Sequence, residues 1–335
     1  MNKKETKSFL KNVLTMFSGT SIAQIINFGA LIILQRYFYS PEEYAPFRLF
    51  FEFTVVFSSI SALRLESGLI LERDKNKALS LLRVCIRYCI MISIIGGVIF
   101  TLYFIKEIEV FQYEWILLAL MPFAIFGNGI IQISQPFFTR TKQFVTITSS
   151  RIIHSLAGSL TQIITGLIGF NFIGLIIGRI TGLFSANLNY IRKFFKTYSW
   201  IRKNKKEEKA LIKKHRNFIW YTSPGVFVGN SINLLTLILF THYYGEQFTG
   251  LTAAAIQYLG LICMIFSNSF AQVYYNEIAQ INKPKQLISS YTYWIKRLAF
   301  LSVSGLIVLF FIPNSFVTSI LGNKWIDLMS IIKII

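Results

Sequence analysis

Arg179 is the residue whose chemistry is hardest to hide. It sits in the middle of Phe170 to Ile191, an apolar run of roughly 20 residues, the length of a bilayer span. At the helical rise it lies about 12 Å from either end of that run. A guanidinium keeps its proton at any usable pH, so at that depth it must face protein or a wet cavity. Gly174, Gly178 and Gly182 recur every fourth residue around it, a spacing that lets helices pack backbone to backbone. Arg151 and His154 occupy another apolar run, and Arg64 a third, beside Glu66. These cations point to a cationic, water-accessible interior between helices. Glu52 is the candidate for holding a coupling cation or proton.

Amides repeat on single faces of other apolar runs. Thr20, Gln24 and Asn27 fall at i, i+4 and i+7, and Asn128, Gln132 and Gln135 do the same beside Pro122 and Pro136. Gly158, Gln162 and Thr165 extend the face of Arg151. Asn230 and Asn233 follow Pro224-Gly225, a pair that predicts a bend. Gln257, Asn268 and Gln272 share a further side. One such amide is ordinary glue between helices. Stripes on several helices point to a hydrophilic vestibule, because hydrocarbon offers these groups no partners.

Other chemistries lack their residues. No G-x-x-x-x-G-K-[ST] is present, so ATP hydrolysis is not expected. Cys85, Cys89 and Cys263 lie in apolar runs without metal-ligand spacing. No catalytic set falls on an exposed loop. The reading is of a non-enzyme with no metal and no cofactor.

The elements that must place these residues are transmembrane helices. Mean hydropathy is +0.53, with 53% hydrophobic and only 15% charged residues, which excludes an ordinary soluble domain. The formal charge of +19 reads as a topology signal toward anionic lipids, with no nucleic-acid partner. Spans are predicted near 13–35, 45–70, 83–105, 113–136, 145–168, 170–191, 217–240, 250–272 and 295–313, with a partial one from about 325. Breakers include Ser40-Pro41-Glu42-Glu43 and Gly245-Glu246. With a cytoplasmic N-terminus, Lys and Arg divide about 27 inside to 4 outside, and Arg36 and Arg48 count as outside.

The division that follows is a first lobe at 1–191, a basic cytoplasmic linker at 192–216 read as solvated, and a second lobe at 217–335. The halves echo each other at an offset near 206, pairing Asn27 with Asn233 and Tyr37 with Tyr243. Glu114-Trp115-Ile116 answers Lys324-Trp325-Ile326 after small gaps. Internal repeats with a site between the halves are a transporter pattern. By that offset the chain ends inside the fourth helix of its second lobe, so the expectation is an incomplete lobe, two or more spans short, in a fragment or a truncated reading frame.

Phe17-Ser-Gly-Thr-Ser-Ile-Ala-Gln-Ile-Ile-Asn27, Tyr39-Ser-Pro-Glu-Glu-Tyr-Ala-Pro-Phe47, Ala62-Leu-Arg-Leu-Glu66 and Leu321-Gly-Asn-Lys-Trp325 resemble the polysaccharide repeat-unit (Wzx-like) flippases. These belong to the multidrug/oligosaccharidyl-lipid/polysaccharide exporter superfamily. The resemblance implies an all-α, two-lobe bundle in a bacterial inner membrane. It implies movement of undecaprenyl-pyrophosphate-linked oligosaccharides, with polymerase and glycosyltransferases as partners. It gives Arg179, Arg151 and Arg64 a pyrophosphate to bind. A peptidoglycan-precursor flippase, a drug/cation antiporter and a membrane-embedded polymerase or ligase stay open as alternatives.

Overall fold

The computed structural model describes residues 3–106, 114–197, 204–278 and 284–335, with side chains left aside at 3–17, 104–106, 114–115, 197, 262–278 and parts of 284–309. Among them the chain is all α-helix, with no strand. The helices are α1 (Lys3–Ile33), α2 (Pro41–Ser59), α3 (Glu66–Leu71), α4 (Lys75–Lys106), α5 (Glu114–Arg140), α6 (Phe144–Leu167), α7 (Phe172–Thr197), α8 (Lys205–Lys214), α9 (Ser223–Ile278), α10 (Pro284–Phe311), α11 (Asn314–Leu321) and α12 (Leu328–Ile334). Five stretches are long and apolar enough to cross a membrane: 18–38, 75–103, 116–140, 172–196 and 218–261. Span-like lengths also occur in α2, α6 and α10, with 19, 24 and 28 residues. The protein is a polytopic membrane bundle.

Helix α2 begins where its sequence says it must. Ser40 Oγ accepts from the Glu43 amide, Glu43 Oε2 accepts from the Ser40 amide at 2.9 Å, and Pro41 opens the first turn. That start carries Arg48 into the helix, where it is 8% exposed, so it is not a loop residue.

The 45–70 span is not one helix. Hydrogen-bonded turns replace it from Ile60 to Leu65, with Leu63 and Arg64 at φ 50° and 58°. Two left-handed non-glycine residues in succession are strained. The turn is held from α5: Ser58 Oγ accepts from Asn128 Nδ2 at 2.7 Å and from Gln132 Nε2 at 3.4 Å. Gly129 leaves room for it, since a Cβ there would stand 2.7 Å from Ser61 Oγ.

Helices α6 and α7 meet through their glycines. A Cβ on Gly178 would stand 2.9 Å from the Gly158 carbonyl, and one on Gly182 would stand 2.7 Å from the His154 carbonyl. The side chain is excluded by backbone, so the every-fourth-residue spacing does serve close approach.

Gly245 breaks α9 at φ 79°, ψ 178°, a conformation essentially reserved for glycine. Just beyond it, Gly250 packs against the Pro41 carbonyl. Trp325 is fully buried nearby; its Nε1 donates to the Gln35 carbonyl at 2.9 Å and its ring meets Tyr44 edge-on. Arg36 donates to the carbonyls of Ser319 and Ile320. At this end of the bundle the first and second halves are tied by hydrogen bonds and packing. Trp325→Ala is therefore expected to cost about 3–5 kcal/mol, read as a lowered unfolding midpoint of the detergent-purified protein.

Candidate functional site: two arginines on one phenylalanine

Arg179 and Arg48 converge on the same ring. Each guanidinium carbon lies 4.8 Å from the centre of Phe51, so the two charges are no more than about 10 Å apart, both within cation–π range. Arg48 Nη2 is 2.6 Å from Glu52 Oε1, with both side chains buried. Arg48 Nη1 also donates to Gln257 Oε1 at 3.5 Å, an oxygen that accepts from Tyr44 as well. Arg179 has no ion pair among the described residues, and its Nε is buried without a partner. Two cations and one carboxylate leave an excess positive charge out of water. An aromatic face softens that charge but does not neutralise it.

His154 lies within electrostatic reach of Arg179, and its Nε2 is buried and unpartnered. Arg151 is engaged elsewhere: Nη1 donates to Thr20 Oγ1 at 2.7 Å and Nη2 to Gln135 Oε1 at 3.1 Å, joining α6 to α1 and α5. Arg64 does not point away from Glu66, as a continuous helix would require; the left-handed turn brings them to 3.5 Å. Glu52 is bound to Arg48 rather than free. Asn128 and Gln132 hold the turn at Ser58. Gln24, Asn27, Asn230 and Asn233 have no hydrogen-bond partner among the described residues, and Asn27 and Asn233 are exposed. Cys263, Asn268 and Gln272, like Glu114 and Trp115, fall outside the described side chains. A groove at Ile307, Phe311, Pro313 and Phe316 is apolar and contains none of these residues.

The sequence profile of a family described as polysaccharide biosynthesis protein matches residues 33–330. The chain belongs to this family. Its members are Wzx-like flippases of the multidrug/oligosaccharidyl-lipid/polysaccharide exporter superfamily. No curated protein and no solved structure gives a match. A role in polysaccharide biosynthesis thus accompanies the membrane bundle. Within this member of the polysaccharide biosynthesis family, Arg48, Phe51 and Tyr44 are the candidate site residues that sequence reading passes over.

From Asn204 onward, the basic segment of this family member is folded against the bundle rather than left as a solvated linker. Asn204 caps α8 by accepting from the amides of Lys206 and Glu207. One face of α8 then docks on α4 and α3. Buried Glu208 pairs with Arg83 at 3.3 Å and Arg87 at 3.2 Å, and Ser80 donates to Glu207. Buried Glu72 meets Lys214 Nζ at 2.5 Å and His215 Nε2 at 2.7 Å, while Arg140 donates to the Glu72 carbonyl.

Burial pushes the Glu72 carboxyl upward, but its hydrogen bonds and charge pairing with Lys214 and His215 outweigh burial and hold it below the usual carboxylate range. A carboxylate depressed in the folded state contributes stability that is present above its unfolded pKa of about 4.3 and lost as pH falls through the folded value. Glu72→Gln is expected to lower the unfolding midpoint at pH 7. The gap from wild type should narrow as the buffer is taken below the ordinary carboxylate pKa. A gap independent of pH would show that Glu72 acts by shape alone.

Proposed function

We propose that the protein is a flippase for undecaprenyl-pyrophosphate-linked oligosaccharides, working in a bacterial inner membrane with its N-terminus in the cytoplasm. The observation that carries this reading is the surplus guanidinium charge at Phe51, which suits a diphosphate headgroup. Charge-assisted hydrogen bonds from arginine are the strongest a protein offers such a group. The substrate's sugars would lie along the amide faces, where Asn27, Asn230 and Asn233 present free donors and acceptors. Such walls are permissive, consistent with a carrier that handles a bulky polar load.

Residues 1–191 and 217–335 form two lobes in this reading, joined by 192–216. The break at Tyr39-Ser40 and the break at Gly245 fall at matching places in the 206-residue repeat, which supports it. The contacts of Pro41 with Gly250 and of Trp325 with Gln35 then close the periplasmic side. The two-arginine site lies about 10 Å beneath that closure, seven residues along α2 and α7 at the helical rise. Anionic lipids face the basic cytoplasmic surface, and glycosyltransferases act before transport and a polysaccharide polymerase after it.

Reconstitution tests this. Liposomes holding the purified protein and a fluorescent lipid-diphosphate oligosaccharide are expected to show protein-dependent exposure of the label to an external quencher. Exposure no faster than in empty liposomes would reject the flippase reading.

A further inference from the structure

We propose that Glu52 is a tethered counter-anion that a diphosphate headgroup displaces from Arg48. The inference rests on the reading of this cluster as the headgroup site. Arg48 and Arg179 share the Phe51 ring, yet among the described residues only Arg48 has a carboxylate, at 2.6 Å and on its own helix one turn away. Arg179 keeps a buried, unpartnered Nε. The pair of guanidinium groups is thus half neutralised. Glu52 holds one guanidinium in place, and the other has no anionic partner among the described residues.

An anion bound at Arg179 alone would be gripped from one side. Gripping it from two requires Arg48 to exchange the Glu52 carboxylate for a phosphate oxygen, a swap of one anionic acceptor for another that leaves the guanidinium paired. The same swap draws Arg48 from Gln257, which belongs to α9 and also receives Tyr44. Loading the site therefore loosens one of the ties between α2 and α9. Glu52 sets the threshold: a ligand must be a better anion than the built-in one. A diphosphate meets this condition and a neutral lipid does not.

The test uses the full chain in detergent, titrated with inorganic pyrophosphate and with farnesyl diphosphate. Removing the competitor by Glu52→Gln is expected to tighten the Kd about tenfold. Glu52→Asp, whose shorter carboxylate competes less well, should fall between the two. Because Glu52→Gln leaves Arg48 unpaired, its unfolding midpoint is also read: added diphosphate should raise it further than it raises wild type. In Arg48→Gln, the Glu52→Gln change should have no further effect on affinity. The probe that binds tighter identifies the source as lipid headgroup or free diphosphate, and the Glu52 effect must hold for it. If Glu52→Gln and Glu52→Asp bind as wild type does or more weakly, while Arg179→Gln loses binding, the counter-anion is rejected and the headgroup site survives. If no variant binds either probe, the headgroup site falls with it.

Discussion

Arg179→Gln is expected to reduce oligosaccharide translocation at least 100-fold while leaving the amount of folded, membrane-inserted protein unchanged. Glutamine keeps much of the length and some hydrogen bonding but loses the charge, and Arg179 forms no ion pair among the described residues that its loss would orphan. Removing an unpaired buried cation relieves desolvation, so stability should hold or rise. A diphosphate that loses one of two charge-assisted contacts loses about 3 kcal/mol, which is the hundredfold. Arg179→Lys is expected to restore little, since a lysine cannot keep the flat contact with Phe51 or the forked geometry. The measurement is quencher accessibility of labelled substrate in liposomes, normalised to protein recovered in a sealed fraction. Wild-type rates in Arg179→Gln would remove the site from the mechanism.

Gly182→Leu is expected to prevent accumulation of folded protein. A Cβ at this position already stands 2.7 Å from the His154 carbonyl and 3.2 Å from the Gly158 Cα. Neither atom can swing aside, so α6 and α7 must separate. Overpacking a tight contact typically costs about 1–3 kcal/mol, and here the extra atoms of leucine meet main chain. Separation would also shift Arg179, one turn before Gly182, off the Phe51 ring. Size-exclusion chromatography and thermal midpoint read the outcome. Ile191→Leu, on an exposed position of the same helix, should behave as wild type. A monodisperse Gly182→Leu protein of native midpoint would show that the two helices are not in rigid contact.

What the sequence reveals, and what it hides, differs residue by residue. Arg179 and its glycines are legible because a charge in hydrocarbon and a four-residue spacing have few physical readings. The break at Gly245 is legible for the same reason: glycine beside a polar residue interrupts an apolar run. Arg48 falls inside the predicted 45–70 span but is counted only as an outer-end charge, and the Ser40/Glu43 capping pair with Pro41, which places it two turns into a helix, goes unused. The relation of Arg64 to Glu66 is hidden altogether. No glycine or proline announces the left-handed pair Leu63-Arg64, and only contacts from α5 fix that turn. The amphipathic character of α8 is present in Glu208, Leu211 and His215, all buried on one face, but a dense run of lysines masks it.

The docking of α8 alters the mechanics of the whole chain. Pinned by Glu208 and Glu72, the segment is no slack rope between bundles; the free leash shrinks to the residues from Arg216 to Thr222, most of them a π-helical turn. A leash so short acts as a pivot. In the proposed transport cycle such a pivot would let the two halves tilt about α8 without separating beside it.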